Sequence, residues 1–220
     1  MTLSRKFSEE KQTNKGLVLI ITGASGSGKT SIKNLLLQSD NSCVEVVTVT
    51  TRYKRDGEIE GVDRFFKTPE EFRNMLSDDE FVTHYELYGN MYGVPKKSVE
   101  AIINKGLTAV ITMGCKGAIP FVEKFPNDKV VSIFISPPSM EELDRRIRKR
   151  NSETEENLAL RMQVAKEIME EHSNVFDHNV VNDKIDFTLS QVQNIIKKER
   201  QNCSHTPQQS GVLRARKLNY

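Results

Sequence analysis

Apolar and polar positions along the chain alternate between two periods. Residues 17–22 read Leu-Val-Leu-Ile-Ile-Thr, a short apolar run suited to a buried strand, and Ile32, Leu35 and Leu36 follow at helical spacing. Asn41 and Ser42 interrupt the pattern, and residues 44–49 return to β-branched side chains as one second strand. The chain therefore opens as strand, helix, strand, the start of a parallel sheet. Residues 50–66 carry basic residues and glycines with little apolar periodicity, which predicts a working loop.

Thr68 then opens a helix as N-cap, with Pro69 in its first turn and Glu71 completing a capping box. Residues 81–88 alternate as a strand, residues 89–93 predict a sharp turn, 95–105 a short helix, and 107–113 and 130–135 two more buried strands. Pro137-Pro138 ends the last of these. Ser139 with Glu142 caps a helix whose buried face is Met140, Leu143 and Ile147, and Ser152 with Glu155 caps another running toward Glu171. Val180-Val181 predicts a last short strand, and Leu189, Val192, Ile195 and Ile196 a closing helix.

At 220 residues the chain is long enough for one domain with embedded lobes. Its net charge of +2 indicates no nucleic-acid partner by field alone. Cys43, Cys115 and Cys203 lack metal-ligand spacing and suit a reduced setting. Residues 1–16 are polar without the apolar centre of a signal peptide, and no run approaches membrane-spanning length, so a soluble, cytoplasmic protein is expected. Residues 1–15 and 201–220 are expected to be flexible tails of a domain spanning 16–200.

The chemistry is concentrated in Gly23-Ala24-Ser25-Gly26-Ser27-Gly28-Lys29-Thr30, which fits the P-loop pattern between a strand and a helix. Glycines 23, 26 and 28 permit positive φ, so that successive N–H groups converge on phosphate oxygens. Lys29 adds charge near the β and γ phosphates, and the Thr30 hydroxyl is placed for Mg²⁺. ATP with Mg²⁺ is the expected donor.

Several further motifs stand in order beyond the loop: Thr50-Thr51-Arg52 with Arg55 and Gly57-Glu58, Gly61 and Asp63, Gly89-Asn90 with Tyr92-Gly93, and Pro137-Pro138-Ser139. Arg146 with Arg150, Glu153–Glu156 with Arg161, and Val181-Asn182-Asp183 complete the set. With these the chain resembles a guanylate kinase over residues 17–198. The resemblance implies an α/β P-loop core in three layers around a parallel sheet, an acceptor-binding lobe inserted at about 48–104, and a helical lid at about 140–165. It implies phosphoryl transfer from ATP to a nucleoside monophosphate, GMP first, by a monomer or homodimer with no membrane or nucleic-acid partner. Lys29, Arg146, Arg150 and Arg161 would neutralise the transferring phosphate, and Gly23, Ser25, Gly26, Ser27, Gly28, Thr30 and Asn182 would hold ATP. Arg52, Arg55, Arg64 and Tyr92 would take the acceptor phosphate, and Thr48 and Thr83 would face the base.

The chain leaves the family pattern at the acceptor. Thr83 stands where the resemblance implies a glutamate on the guanine donors, Arg64 where it implies a tyrosine, and Val94 where it implies a serine. Thr112 and Gly114 occupy the places of two aspartates, which leaves Glu58 and Asp63 as the nearest candidate carboxylates for the metal. A different monophosphate or sugar phosphate, or a catalytically weak binding module, are the alternative readings. His84 and Glu86 are expected to face away from Thr83.

Overall fold

The computed structural model describes residues 16–87, 89–124, 130–149 and 155–203. Segments 1–15 and 204–220, Arg150 and the Ser152 cap lie outside the described residues. Five strands form a parallel sheet in the order β2 (Cys43–Glu45), β7 (Thr108–Thr112), β1 (Val18–Thr22), β8 (Val130–Ser136) and β9 (His178–Val181). β1 and β8 are buried along their whole length, as unbroken apolar runs in a two-sided sheet require. On one face Leu19, Ile21, Val131 and Ile133 meet α1 (Lys29–Ser39) and α7 (Ile185–Cys203). On the other, Ile20, Ile111 and Phe134 meet α3 (Lys96–Ile103) and α4 (Cys115–Lys124). The result is the expected three-layer core.

A second sheet runs β4 (Arg64–Phe66), β3 (Thr48–Thr50), β6 (Asn90–Pro95) and β5 (Phe81–Leu87), with β3 and β4 parallel and β6 antiparallel to both β3 and β5. One of its faces is covered by α2 (Pro69–Ser77), where Phe72 stacks on Phe81 at 4.6 Å beside the buried Val49. The Thr68 capping box forms in full, its hydroxyl accepting from Glu71 N and the Glu71 carboxylate from Thr68 N. The helix α5 (Met140–Arg148) and α6 (Glu155–His172) bury Leu143, Ile147, Leu158 and Ala165 around Ala24 of the P-loop.

Five sequence expectations change. The single strand at 44–49 is two, β2 and β3, because the chain leaves the core sheet at Val46 and enters the second one. The turn expected over 89–93 is confined to Gly89, and residues from Asn90 onward form β6. The loop 50–66 ends in a short strand, β4. The helix α4 was not anticipated, since Gly117 and Pro120 break its apolar pattern. At Ser139 only half the box forms: the hydroxyl accepts from Glu142 N, while the Glu142 carboxylate turns to Arg145 and Arg146.

α7 runs to Cys203, past the expected boundary at 200, and Arg200 explains why it docks there. Its guanidinium donates to Thr108 Oγ1 at 2.7 Å and to Asp40 Oδ2 at 3.0 Å, joining α7 to the end of α1 and the start of β7. Burial would raise the Asp40 carboxyl, but hydrogen bonds from Ser42 and Arg200 overcome it and hold the group at about 2. A depressed folded value means this contribution is complete above about pH 4 and is lost as the pH falls toward 2. Arg200→Ala is expected to lower Tm by about 5 °C in a thermal melt at neutral pH. The difference from the parent should shrink when the melt is repeated near pH 3.

Candidate active site

The parallel strands all point their carboxyl ends the same way, and the segments leaving those ends converge. In an open parallel sheet this is where ligands bind. The P-loop leaves β1, Gly114 and Cys115 leave β7, and Asn182 leaves β9. Gly23 and Gly28 take φ values of 133° and 99°, which an L side chain rarely adopts. A Cβ at Gly28 would also collide with the Asn182 amide, so glycine is required there twice over.

Asn182 is 5% exposed, and each of its polar groups is engaged. Its Nδ2 donates to Ser27 O at 2.8 Å, its Oδ1 accepts from Thr188 Oγ1 at 3.2 Å, and its N–H donates to Ser136 O at 2.7 Å. Its carbonyl accepts from the Arg146 guanidinium at 3.0 Å. Arg146 is also held by Glu142 at 2.7 Å. Arg161 reaches the loop from α6, donating to Ser25 Oγ at 3.2 Å. Lys29 Nζ donates to Gly23 O at 2.8 Å and Ala24 O at 2.6 Å, folding back across the loop. Lys29, Arg146 and Arg161 thus gather at the P-loop, while Arg150 lies outside the described residues. Arg145 and Arg148 pair with Glu142 and Asp144 on the exposed side of α5.

The second sheet supplies the opposing wall. Directly paired residues share a face, so Thr48 with Arg64, Thr50 with Tyr92, and Tyr85 with Tyr92 all lie on one side. Thr83 joins them by alternation, whereas His84 and Glu86 are exposed on the other face. The Arg64 guanidinium donates to Thr48 Oγ1. Arg52 lies over the Phe66 ring at 5.4 Å and grips Glu58 with two hydrogen bonds of 2.8 and 2.5 Å. Arg55 gives its backbone N–H to the same carboxylate at 2.9 Å, with its own side chain exposed in the loop.

Tyr85 and the Arg52–Glu58 pair were missed in the sequence. Tyr85 stacks on Tyr92 at 5.3 Å, and its hydroxyl takes the N–H of Gly114. Its ring fills the place a Cβ on Gly117 would need. Alternation from Thr83 was the available signal for Tyr85. On the other flank of this turn, Cys115 Sγ meets Thr22 Oγ1 at 3.6 Å at the foot of the P-loop. The turn between β7 and α4 therefore touches both the donor loop and the acceptor face.

A metal would meet oxygen donors here. Thr30 stands exposed at the first turn of α1, and the buried Thr112 Oγ1 at the carboxyl end of β7 has no hydrogen-bond partner. Glu58 and Asp63 are taken, the first by Arg52 and the second by Ile59 N at 2.8 Å. Among the described residues no group of three or more His, Cys, Asp or Glu could hold an ion. This donor set fits Mg²⁺, which keeps several waters, better than a caged ion.

Two outcomes are expected. Asn182→Ala should weaken ATP binding about tenfold in calorimetry, because the P-loop loses its buried tether. The Arg52 hydrogen bonds hold the Glu58 carboxyl at about 2, below its ordinary 4.5. The order this pair confers is therefore complete above about pH 4.5 and is lost as the pH falls toward 2. Hydrogen exchange in residues 52–58 should stay protected from pH 8 to 5, after correction for intrinsic rates, and lose protection only below about pH 4.

Comparison with known proteins agrees with this geometry. The guanylate kinase family model matches residues 15–199. Guanylate kinase of Rickettsia felis is 40% identical over 188 residues, covering 86% of this chain and 96% of that protein. Guanylate kinase of Clostridium perfringens is 40% identical over 190 residues, covering 86% of each. The crystal structure of guanylate kinase from Anaplasma phagocytophilum superposes with a TM-score of 0.71 at 34% identity, over 86% of this chain and 89% of that one. The chain belongs to the guanylate kinase family.

Proposed function

We propose that this chain moves the γ-phosphoryl group of ATP onto GMP, releasing ADP and GDP. The observation that carries the reading is that two groups of cations stand on the two elements joined at the turn between β7 and α4. Lys29, Arg146 and Arg161 stand on the P-loop side, and Arg52 and Arg64 on the acceptor side. Phosphoryl transfer asks a protein mainly to align two anions and neutralise their charge, and this arrangement supplies both.

In this reading the second sheet with α2 is the acceptor lobe, and α5 with α6 is the lid. Lys29 turns from the Gly23 and Ala24 carbonyls to the β and γ phosphates as ATP enters. The P-loop amides cradle the phosphates, while Asn182 fixes the loop through Ser27. Arg146 and Arg161 stabilise the charge on the transferring group, joined by Arg150. Arg52, Arg55, Arg64 and Tyr92 hold the acceptor phosphate in line. Lid side chains around Ala24 exclude water, so that ATP is not simply hydrolysed. Thr30 would hold Mg²⁺, which would supply positive charge against the phosphates. A cytoplasmic location goes with this reading; no helix among the described residues is long and apolar enough to cross a membrane.

A coupled ADP-release assay tests the reading. With ATP, Mg²⁺ and GMP, steady turnover is expected, and Lys29→Ala should lower kcat/KM by about 10²–10³. An unchanged rate in that variant would remove the P-loop mechanism.

A further inference from the structure

The four strands of the acceptor sheet hold one carboxylate, Glu86, and it shares the outward face with His84. The inward face presents hydroxyls and a cation: Thr48, Thr83, Tyr85, Tyr92 and Arg64. Thr83 is 2% exposed, and its Oγ1 has no hydrogen-bond partner. Buried polar atoms are nearly always satisfied, so an orphan on a ligand-facing surface points to a bond the ligand supplies. Nothing lies within 4 Å of where a Cβ on Gly114, at the end of β7, would stand. The subsite is therefore open and neutral to positive.

Guanine presents an O6 acceptor and two donor groups, N1–H and the 2-amino group. A carboxylate accepts from both donors, gains nothing from a 2-hydrogen and repels a 2-carbonyl. A threonine hydroxyl donates or accepts as required. It therefore serves a 2-amino and a 2-oxo purine alike. Hydrogen bonds between neutral groups change affinity roughly two- to tenfold, and those to an ionised group by roughly ten- to a hundredfold. A site that lacks the ionised partner loses most of its means of selection.

We propose that the base subsite bounded by Thr83 and Gly114 takes 6-oxopurine 5′-monophosphates as a class, IMP and XMP as well as GMP. This rests on the kinase reading above, and the 2-substituent of the purine is what the subsite does not select.

Calorimetric titration of GMP, IMP and XMP tests it, using the full chain saturated with Mg²⁺ and a non-hydrolysable ATP analogue. The three Kd values are expected within about tenfold of one another. GMP binding more than about a hundredfold tighter than both others overturns the proposal, as does failure of all three to bind. Thr83→Glu should shift the ratio of XMP to GMP Kd by about a hundredfold toward GMP, and an unchanged ratio would put Thr83 away from the base. Should that variant not fold, Thr83→Val is expected to weaken all three alike, about two- to tenfold, and a loss confined to GMP would overturn the proposal. ADP release is read on the same proteins with ATP. Binding of all three without turnover removes the kinase reading and leaves the class of ligand standing. Turnover of GMP with IMP and XMP unbound does the reverse.

Discussion

The hydrogen bond from the buried Asn182 amide to Ser27 O is the contact on which the donor half of the molecule depends. A P-loop is a backbone held in conformations that few residues tolerate, and its convergent amides repel one another until an anion arrives. Something must hold it open beforehand. Asn182 does so from the end of the last core strand, and Thr188 in α7 fixes the amide's orientation. Because the Asn182 carbonyl also takes Arg146, the same residue sets where α5 lies over the loop. Leu143 and Ile147 then close against Gly26, whose added Cβ would meet both. Sheet, loop and α5 are thus one mechanical unit, and preorganisation of this kind lets electrostatic stabilisation act without rearrangement in a transition state.

The acceptor wall is held differently. Its outer face is an ordinary apolar cluster of Val49, Phe72 and Phe81, while the sheet joins the core through the buried Val94 and at the turn between β7 and α4. There Tyr85 stacks on Tyr92 and receives Gly114 N–H, while the next residue, Cys115, packs on Thr22. Burial raises both the Tyr85 hydroxyl and the Cys115 thiol above their usual ranges, so both remain neutral at physiological pH. Neutral groups at this junction add no negative charge beside Lys29 and Arg64. Arg52 and Arg146 are each compensated by a carboxylate, Glu58 and Glu142.

What the sequence made legible was what local chemistry determines. The P-loop, the Thr68 cap and the apolar strands each depend on residues a few positions apart, and each was readable. The helix α4 was not, because Gly117 is small to admit the Tyr85 ring from another sheet, a requirement invisible along the chain. The split of 44–49 into β2 and β3 follows from which sheet each end joins, again a tertiary matter. In the site, the positions of Arg52, Arg64 and Thr83 came from resemblance, and alternation sufficed to put His84 and Glu86 outward. Glu58 read as a metal candidate because its partner Arg52 becomes visible only when the loop folds back on itself.

The two halves of the site therefore carry different freedom to change. At the donor end Asn182, Arg146 and Lys29 are bonded within the fold, so a substitution at any of them costs stability as well as function. At the base end Thr83 is buried without a bond and Gly114 opens onto empty space. An unmet hydroxyl costs on the order of 1–3 kcal/mol before ligand binds, and no other part of the structure relies on it. A site can alter such a position without disturbing the loop, lid or sheet. That separation leaves Thr83 and Gly114 freer to vary than Asn182, whose amide is bonded to Ser27 and Thr188.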